Sequence, residues 1–552
     1  METKDNRCDL IIENGQVVDG AGNPWFGADV GVKGGRIASV GRLEGVEAAQ
    51  RIDATGRAVS PGFIDIHNHS DLTLLARPEA DSHLRQGVTT LVIGNCGGSA
   101  APLGGRADAP AGFVDEESLL GKLAGQGLRW ESFAEYLGVL ERQRCATNVA
   151  ALVGHGNVRN VVLGWENRAP DASELEQMKA LVAEAMEAGA FGLSFGLLYP
   201  PGFFAHTDEL VELNKVVGRY GGFHSIHMRD ERNPERYRAS VLEGIEIGER
   251  AGIPAHISHI EAHYPNWGMQ AEVLGLLEKA RARGMDVTCD VPPYLLSSST
   301  LSIAIPDWAM DGGFDSFLDR LRDPQTRSQI HDWIVAEKPL GAAFLLSGQW
   351  DKGWLGASLA HPEYSGKSVA EIAAMRGGEP SFDLIFDLFL EEGQDMPAHA
   401  QLHNEEEMRI LVAHPLAMIE TDAAVSVSET GKANPRGFGS FPLIFRKYVR
   451  GEDRADEPLE RGKRILTLQE AVRKMTSAPA QRLGVWDRGL VREGMWADLV
   501  IFDPETIADQ ATYVNPYQYP KGIDYVLVNG QVVVASGEHT GRLPGQVLRH
   551  RA

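Results

Sequence analysis

The stretch PGFIDIHNHSD, residues 61–71, sets a short apolar run against three polar side chains, Asp65, His67 and His69. Side chains two apart on a strand point to the same side. The run therefore reads as a strand whose C-terminal end presents His67 and His69 together, with Asp65 one step deeper. Outward from it the same design recurs seven times. TTLVIGN stops before Cys96, VAALVGH ends at His155, AFGLSF near Phe195 and GGFHSIH at His227. IPAHISH ends at His259, MDVTCD at Asp290 and LAMIETD at Asp422. Several steps are close to one βαβ unit: 29 residues from His67 to Cys96, 32 from His227 to His259 and 31 from His259 to Asp290. Eight runs alternating with helical patterns predict a closed (β/α)8 barrel, with an open doubly wound sheet as the alternative.

Two intervals are too long for one crossover. The 59 residues from Cys96 to His155 leave room for an insertion around ADAPAGFVDEESLLGKLAGQGLRW, and 131 residues lie between Asp290 and Asp422. A mostly helical subdomain is therefore predicted at about 300–400. Both ends of the chain have a different texture, of short strands and turns. LIIENGQVVDG carries Asn14-Gly15 as a hairpin signal, Gly34-Gly35 marks another turn, and GMWADLVIFDP precedes IDYVLVNGQVVV with Asn529-Gly530. Residues 1–60 plus 488–552 are predicted to form one small β-sandwich beside a barrel spanning 61–487.

Composition narrows the function classes. The 552 residues carry a formal net charge of -23, which argues against a general nucleic-acid binder. Hydrophobic residues at 43% and charged residues at 23% fit a globular protein. Four cysteines, Cys8, Cys96, Cys145 and Cys289, do not make a disulfide framework in so long a chain. The opening METKDNRCDL has no apolar signal core, and no run approaches a membrane span. The expectation is a cytoplasmic enzyme with reduced thiols, no membrane or nucleic-acid partner, and room for a homo-oligomer.

A barrel places its chemistry at the C-terminal ends of its strands. Six donors of metal-ligand type end five of the runs: His67, His69, Cys96, His227, His259 and Asp422. Each alone has a bland reading: a chance His-x-His, a small buried cysteine, a core histidine, a helix-capping aspartate. One metal site at a common mouth explains all six positions at once. His155 ends the third run and either lines the site or packs. His256 sits three before His259 and is expected to face packing. His83 and Arg229 read as structural, and His206, His224, His263 and His414 have no positional argument.

These residues resemble the amidohydrolase superfamily and, within it, the D-aminoacylase (N-acyl-D-amino-acid deacylase) group. The resemblance runs through PGFIDIHNHSD, GVTTLVIGNCGGSAAP at 87–102, LVGHGNVR at 152–159, GLLYPPGFFAHTDEL at 196–210, HMRDE at 227–231, ISHIEA at 257–262 and the tail from ADLVIFDP onward. It implies an ellipsoidal (β/α)8 barrel flanked by a β-sandwich from both termini. Many superfamily members bridge two metals with a carboxylated lysine on strand four, but AFGLSFGLLY contains no lysine. The D-aminoacylase-like pattern puts Cys96 in that bridging role. Cys96, His227 and His259 would form the tight site, and His67, His69, Cys96 and Asp422 a weaker one. Thiolate and imidazole donors suit Zn2+, as one or two ions, with other divalent metals open. The expected reaction is hydrolysis of a non-peptide C–N bond, in which a divalent ion supplies Lewis acidity and an acidified water. Asp422, the expected catalytic base, takes the water's proton and passes it to the departing amine.

The pattern also departs from that group. Its members commonly carry a lysine two residues after the strand-six histidine, to hold the substrate's carboxylate; this chain has Glu261 there. Tyr294 and Ser298 in DVPPYLLSSST resemble the group's substrate loop. NPRGF at 434–438 has Asn434 where the group has histidine but keeps Arg436, the remaining carboxylate-binding candidate. With His155, these make up the expected substrate contacts. The leading substrate is an N-acyl amino acid, D configuration included. The alternatives are a neutral or cationic amide, carbamate, urea or cyclic amide, which Glu261 favours, and a non-catalytic barrel scaffold.

Overall fold

The computed structural model describes residues 7–104, 116–427, 433–454 and 464–551. Part of the insertion expected after Cys96, residues 107–115, lies outside them. Eight parallel strands form the barrel: Phe63–Asp65, Val88–Ile93, Asn148–Ala151 continued by Val153–Gly154, Gly192–Gly196, Phe223–His227, Ala255–Ile257, Val287–Val291 and Ala417–Ile419. Strands one to three pair in one ladder and strands three to eight in another, each beside its sequence neighbour. The ring closes between strands eight and one through an Asn68–Ala423 bridge. There the Asp422 N–H donates to the His67 carbonyl at 3.0 Å and the His69 N–H to the Ala423 carbonyl at 3.1 Å. The stitch that closes the barrel is thus made by the segments carrying His67, His69 and Asp422.

Helices cover the outside, and their sequences explain their ends. Asp171 and Glu174 form a reciprocal capping box ahead of Ala172–Ala188, and Gly189 closes that helix in the left-handed region. Asn233 caps Pro234–Ala251, which opens on proline. Leu210, Leu213 and Val217 recur at helical spacing on Thr207–Arg219 and are wholly buried against the strands. These faces join the strand side chains in one continuous core.

Two further cores flank the barrel. The span between strands seven and eight contains Phe314–Arg322, Pro324–Glu337, Phe382–Glu392 and other helices around Phe317, Ile330, Ile334, Phe386 and Phe389. It also contains a three-stranded antiparallel sheet of Ser297–Thr300, Pro397–Ala400 and Gly353–Leu355, which the helical pattern of the sequence did not announce. The chain ends meet in a nine-stranded hydrogen-bonded sheet that brings Leu499–Phe502 beside Ala58–Pro61. Alternation splits its two faces: Leu499 and Ile501 fill a small core of the sheet's own, while Val500 and Phe502 pack on the barrel. Gly34-Gly35 and Asn529-Gly530 are two-residue hairpin turns, all four at positive φ. Asn14-Gly15 is not a turn. It lies inside one strand, Cys8–Val17, as an irregularity where Asn14 takes φ 61° and the register slips against Phe26–Lys33.

A buried charge locks the terminal sheet to the barrel. Asp498 pairs with Arg488, accepts from the Asn529 N–H at 2.7 Å and accepts from Asn148 Nδ2 of barrel strand three at 3.2 Å. Arg488 and Asp498 are both buried, so removing one leaves the other charge without compensation. Asp498→Ala is expected to lower stability by about 3–5 kcal/mol, read as a shifted denaturant midpoint.

Candidate metal centre

Of the expected donors only His227 sits within a strand, as the last residue of Phe223–His227. His67, Cys96, His259 and Asp422 follow strands that stop at Asp65, Ile93, Ile257 and Ile419. Three of them take left-handed backbone: Cys96 at φ 50°, His259 at 32° and Asp422 at 44°. Non-glycine residues avoid this region, at a cost of about 1–3 kcal/mol each, unless the surroundings enforce it. His67 and His69 therefore share a side not by strand alternation, as their spacing predicts, but because both lie in the turn that closes the ring. At Cys96, close-packed glycines admit the strained turn. A Cβ on Gly196 would lie 2.0 Å from the Cys96 carbonyl oxygen, and one on Gly97 would lie 2.5 Å from the Gly196 nitrogen. The Cys96 turn is thus pressed directly onto strand four.

The six donors meet. Cys96 Sγ lies 3.3 Å from His67 Nε2, 3.4 Å from His259 Nε2 and 3.6 Å from His227 Nδ1. Asp422 Oδ1 lies 3.0 Å from His69 Nε2 and 3.7 Å from His67 Nε2. A tetrahedral zinc with bonds of about 2.0–2.3 Å separates its ligand atoms by roughly 3.3–3.8 Å, so this is an ion-sized constellation. Ligand atoms of His67, Cys96 and His259, and separately of His67, His69 and Asp422, all fall within 4.8 Å of one another.

The electrostatics also fit a cation. Burial lowers His259 to about 3 and, with the neighbouring His259, takes His227 well below the usual histidine range. Both rings are neutral at pH 7 and have lone pairs to give. Burial pushes the Cys96 thiol up although His67 beside it pulls the other way. A thiolate there needs a positive ion, and binding one drives its ionisation. Burial would raise Asp422 too, but the Arg436 guanidinium at 2.8 Å, with His69, holds it well below the carboxylate range.

Beneath the donors lies a polar layer that sequence reading missed. Asp290 is the penultimate residue of strand seven, and its Oδ2 lies 3.4 Å from His67 Nδ1 and 2.8 Å from His256 Nε2. Its Oδ1 accepts the His259 backbone N–H. Glu420 Oε2 lies 3.2 Å from the same His67 Nδ1. Two carboxyls at one imidazole cannot both ionise cheaply. Burial and the Asp290 charge push Glu420 well up, whereas His256 and His67 overcome burial to hold Asp290 down. His256, expected to pack, instead bridges Asp290 to Thr288 Oγ1 at 2.8 Å. The available signal was its spacing: His256 and Asp290 lie on neighbouring strands six and seven.

The other expected residues are distributed unevenly. His155 begins the helix His155–Leu163 and faces Glu209 at 2.8 Å, beside the Arg159–Glu209 pair at 2.7 Å. Tyr294 donates to Asp509 at 3.1 Å and packs on Tyr513. Ser298 Oγ meets His399 Nδ1 and Asn434 Nδ2, each at 2.8 Å. Arg436 Nη1 lies 2.8 Å from Asp422 Oδ2, and its Nε is buried without a hydrogen-bond partner. Glu261 is buried with both oxygens unpartnered, and burial raises it to about 8. Ser299 reaches the Tyr199 hydroxyl at 3.3 Å, and the Tyr199 ring packs 4.8 Å from the His227 ring. Ser297, Ser298 and Ser299 thus span the mouth from the inserted subdomain.

The chain is similar to known proteins along nearly its whole length. A family model described as the amidohydrolase family matches residues 50–534. An N-acyl-D-glutamate deacylase of Alcaligenes xylosoxydans xylosoxydans is 36% identical over 551 residues, 99% of this chain and 97% of that one. A D-aminoacylase of the same organism is 35% identical over 546 residues, 99% and 98% of the two chains. A solved N-acyl-D-glutamate deacylase from Bordetella bronchiseptica, in complex with zinc and a phosphonate mimic of the tetrahedral intermediate, superposes with a TM-score of 0.79 at 34% identity. That match covers 98% of this chain and 100% of the other.

One carboxylate, Asp290, sets both the His67 ring and the strained His259 backbone. Asp290→Asn is expected to weaken divalent-metal affinity about 10- to 100-fold, measured by chelator competition, with the fold retained by circular dichroism.

Proposed function

The chain belongs to the amidohydrolase family, and from that premise we propose that it deacylates N-acyl-D-amino acids at a zinc centre. The observation that carries this reading is the convergence of one thiol, four imidazoles and one carboxylate at the mouth of the barrel, with separations that suit zinc. Cys96, His227 and His259 would hold the first ion, and His67, His69 and Asp422 line the adjoining position with Cys96 between them. The D configuration and the amino-acid substrate rest on the relatives, which are a D-aminoacylase and deacylases of N-acyl-D-glutamate and N-acyl-D-aspartate.

When bound, zinc supplies Lewis acidity towards the scissile carbonyl and acidifies a water. The chain's own residues do the rest. Arg436 grips Asp422 Oδ2 at 2.8 Å, which keeps that carboxylate ionised and leaves Oδ1 directed at the donors. Asp422 Oδ1 accepts the water's proton as its oxygen adds to the acyl carbon, then delivers that proton to the amine nitrogen as the C–N bond breaks. The products are a carboxylate and a free amino acid. The Tyr199 ring against His227 and the serine row above it limit water at the reacting carbon.

A panel of N-acetyl-D- and L-amino acids, assayed with the zinc-loaded enzyme, tests the substrate class. Release of amine from the D series alone supports the reading, and a protein inert towards all of them overturns it. Asp422→Asn is expected to cut kcat at least 100-fold while retaining at least one equivalent of zinc; near wild-type turnover would remove Asp422 from proton transfer. Cys96→Ala is expected to lower zinc content, and an unchanged stoichiometry by elemental analysis would contradict a bridging Cys96.

A further inference from the structure

In the terminal sheet, residues 503–522 connect strands Leu499–Phe502 and Ile523–Val528 without a helix or strand of their own. Irregular connections beyond about 12–15 residues are uncommon in compact domains and are usually functional. This one packs on the helix Arg436–Leu443, whose Phe438 ring lies 5.7 Å from Tyr517 and 5.6 Å from Tyr519. Three arginines spaced four apart beyond that helix fasten it. Arg450 donates to the Pro504 carbonyl at 3.0 Å and to the Ile507 carbonyl at 2.7 Å, and Arg454 to the Ala511 carbonyl at 2.9 Å. Arg446 Nε donates to Asp509 Oδ1 at 2.6 Å.

Asp509 is the hub of these contacts. It is wholly buried, and a buried carboxylate persists only when paired and hydrogen-bonded. Its Oδ2 lies 3.0 Å from Arg454 Nη1 and accepts the Tyr294 hydroxyl at 3.1 Å. The next residue is held from the same connection, because the Leu295 N–H donates to the Tyr513 hydroxyl at 2.9 Å. A Cβ on Gly439 would lie 2.2 Å from the Tyr294 hydroxyl oxygen and 2.9 Å from Asp509 Cβ, so the helix that begins at Arg436 presses directly on this pair.

Two walls of the cleft meet here. One follows strand seven and runs from Tyr294 into the serine row, where Ser299 reaches Tyr199 over His227. The other follows strand eight and carries Asn434 and Arg436. At the rim Asn434 joins them, donating to the Leu296 carbonyl at 2.7 Å and to Ser298 Oγ at 2.8 Å while accepting the Arg436 N–H at 3.1 Å. At the back Asp509 joins them, through Tyr294 on one wall and Arg446 on the other.

We propose that Asp509 is a positioning residue that sets the separation of these walls, so that the terminal sheet takes part in fitting the substrate beside the zinc centre. Tyr294 is its link to the serine row. Only the kinetic arm of the test rests on the deacylase reading above.

The test uses the zinc-loaded full-length enzyme with N-acetyl-D-amino acids. Asp509→Ala is expected to raise KM about 10-fold, as for a lost hydrogen bond to a charged group, with kcat changed less than about 3-fold and zinc content level. Asp509→Asn keeps an oxygen acceptor for Tyr294 and should recover most of the loss. Tyr294→Phe should raise KM in the same direction and add nothing in the Asp509→Ala background, because the two residues act through one contact. Independent, multiplying effects overturn the proposal. So does a KM that rises in Tyr294→Phe but not in Asp509→Ala, since the hydroxyl would then act on the substrate directly, and so does a loss of stability with KM unchanged. Should the wild type hydrolyse none of the series, the deacylase reading fails, and amide hydrogen exchange decides this one separately. Faster exchange at Leu295 and along Ser297–Thr300 in both variants, with the strands that lead to the metal donors protected as in the wild type, supports it; unchanged exchange at Leu295 removes it. Asp509→Ala leaves two arginines uncompensated. If it fails to fold, Tyr294→Phe, which removes no charge, carries the test through the exchange at Leu295.

Discussion

A thiol buried among imidazoles is stable as a thiolate only beside a cation, and the architecture of this mouth follows from that constraint. Cys96, His67, His227 and His259 crowd within 3.6 Å contacts that are also good ligand–ligand separations. Holding them there requires the backbone of Cys96, His259 and Asp422 to stay in a left-handed conformation. The surrounding packing enforces it, through glycines that admit no Cβ and through ladder bonds that close the ring. Strain of this kind persists where the fold over-determines a functional geometry.

Charge is arranged in depth around the donors. Asp290 stays ionised between His67 and His256, Glu420 beside it is driven towards its neutral form, and Arg436 keeps Asp422 ionised. Near neutral pH the layer thus contains two ionised carboxylates and one that adds no repulsion. Each is wholly or almost wholly buried, so water cannot screen the assignments. The same low-dielectric setting strengthens any hydrogen bond made to charge that develops on a reacting carbonyl.

The inserted span does more than lengthen the chain. Its small sheet returns over the barrel and delivers Ser297, Ser298, Ser299 and His403 to the cleft. No helix among the described residues is long and apolar enough to cross a membrane. The likeness to the deacylases spans barrel, insert and terminal sheet alike, so the lid over the mouth is part of what is shared.

Much of this was legible in the chain itself. Eight apolar runs, several of them about 30 residues apart, point to a parallel barrel, because each strand and its crossover occupy a set length. Polar residues just beyond those runs fall at one end for the same reason, which is why the six donors could be picked out one by one. Turn dipeptides located two of three hairpins, but at Asn14-Gly15 the left-handed residue serves a bulge inside a strand, a choice that local chemistry leaves open. What folding alone decided is how distant segments face each other. That Arg436 closes on Asp422, that Asp290 reaches His67 and His259 at once, and that His403 meets His263 are contacts between residues up to 223 positions apart. Periodicity reports which way a side chain points from its own element, but the partner it finds depends on the packing of another.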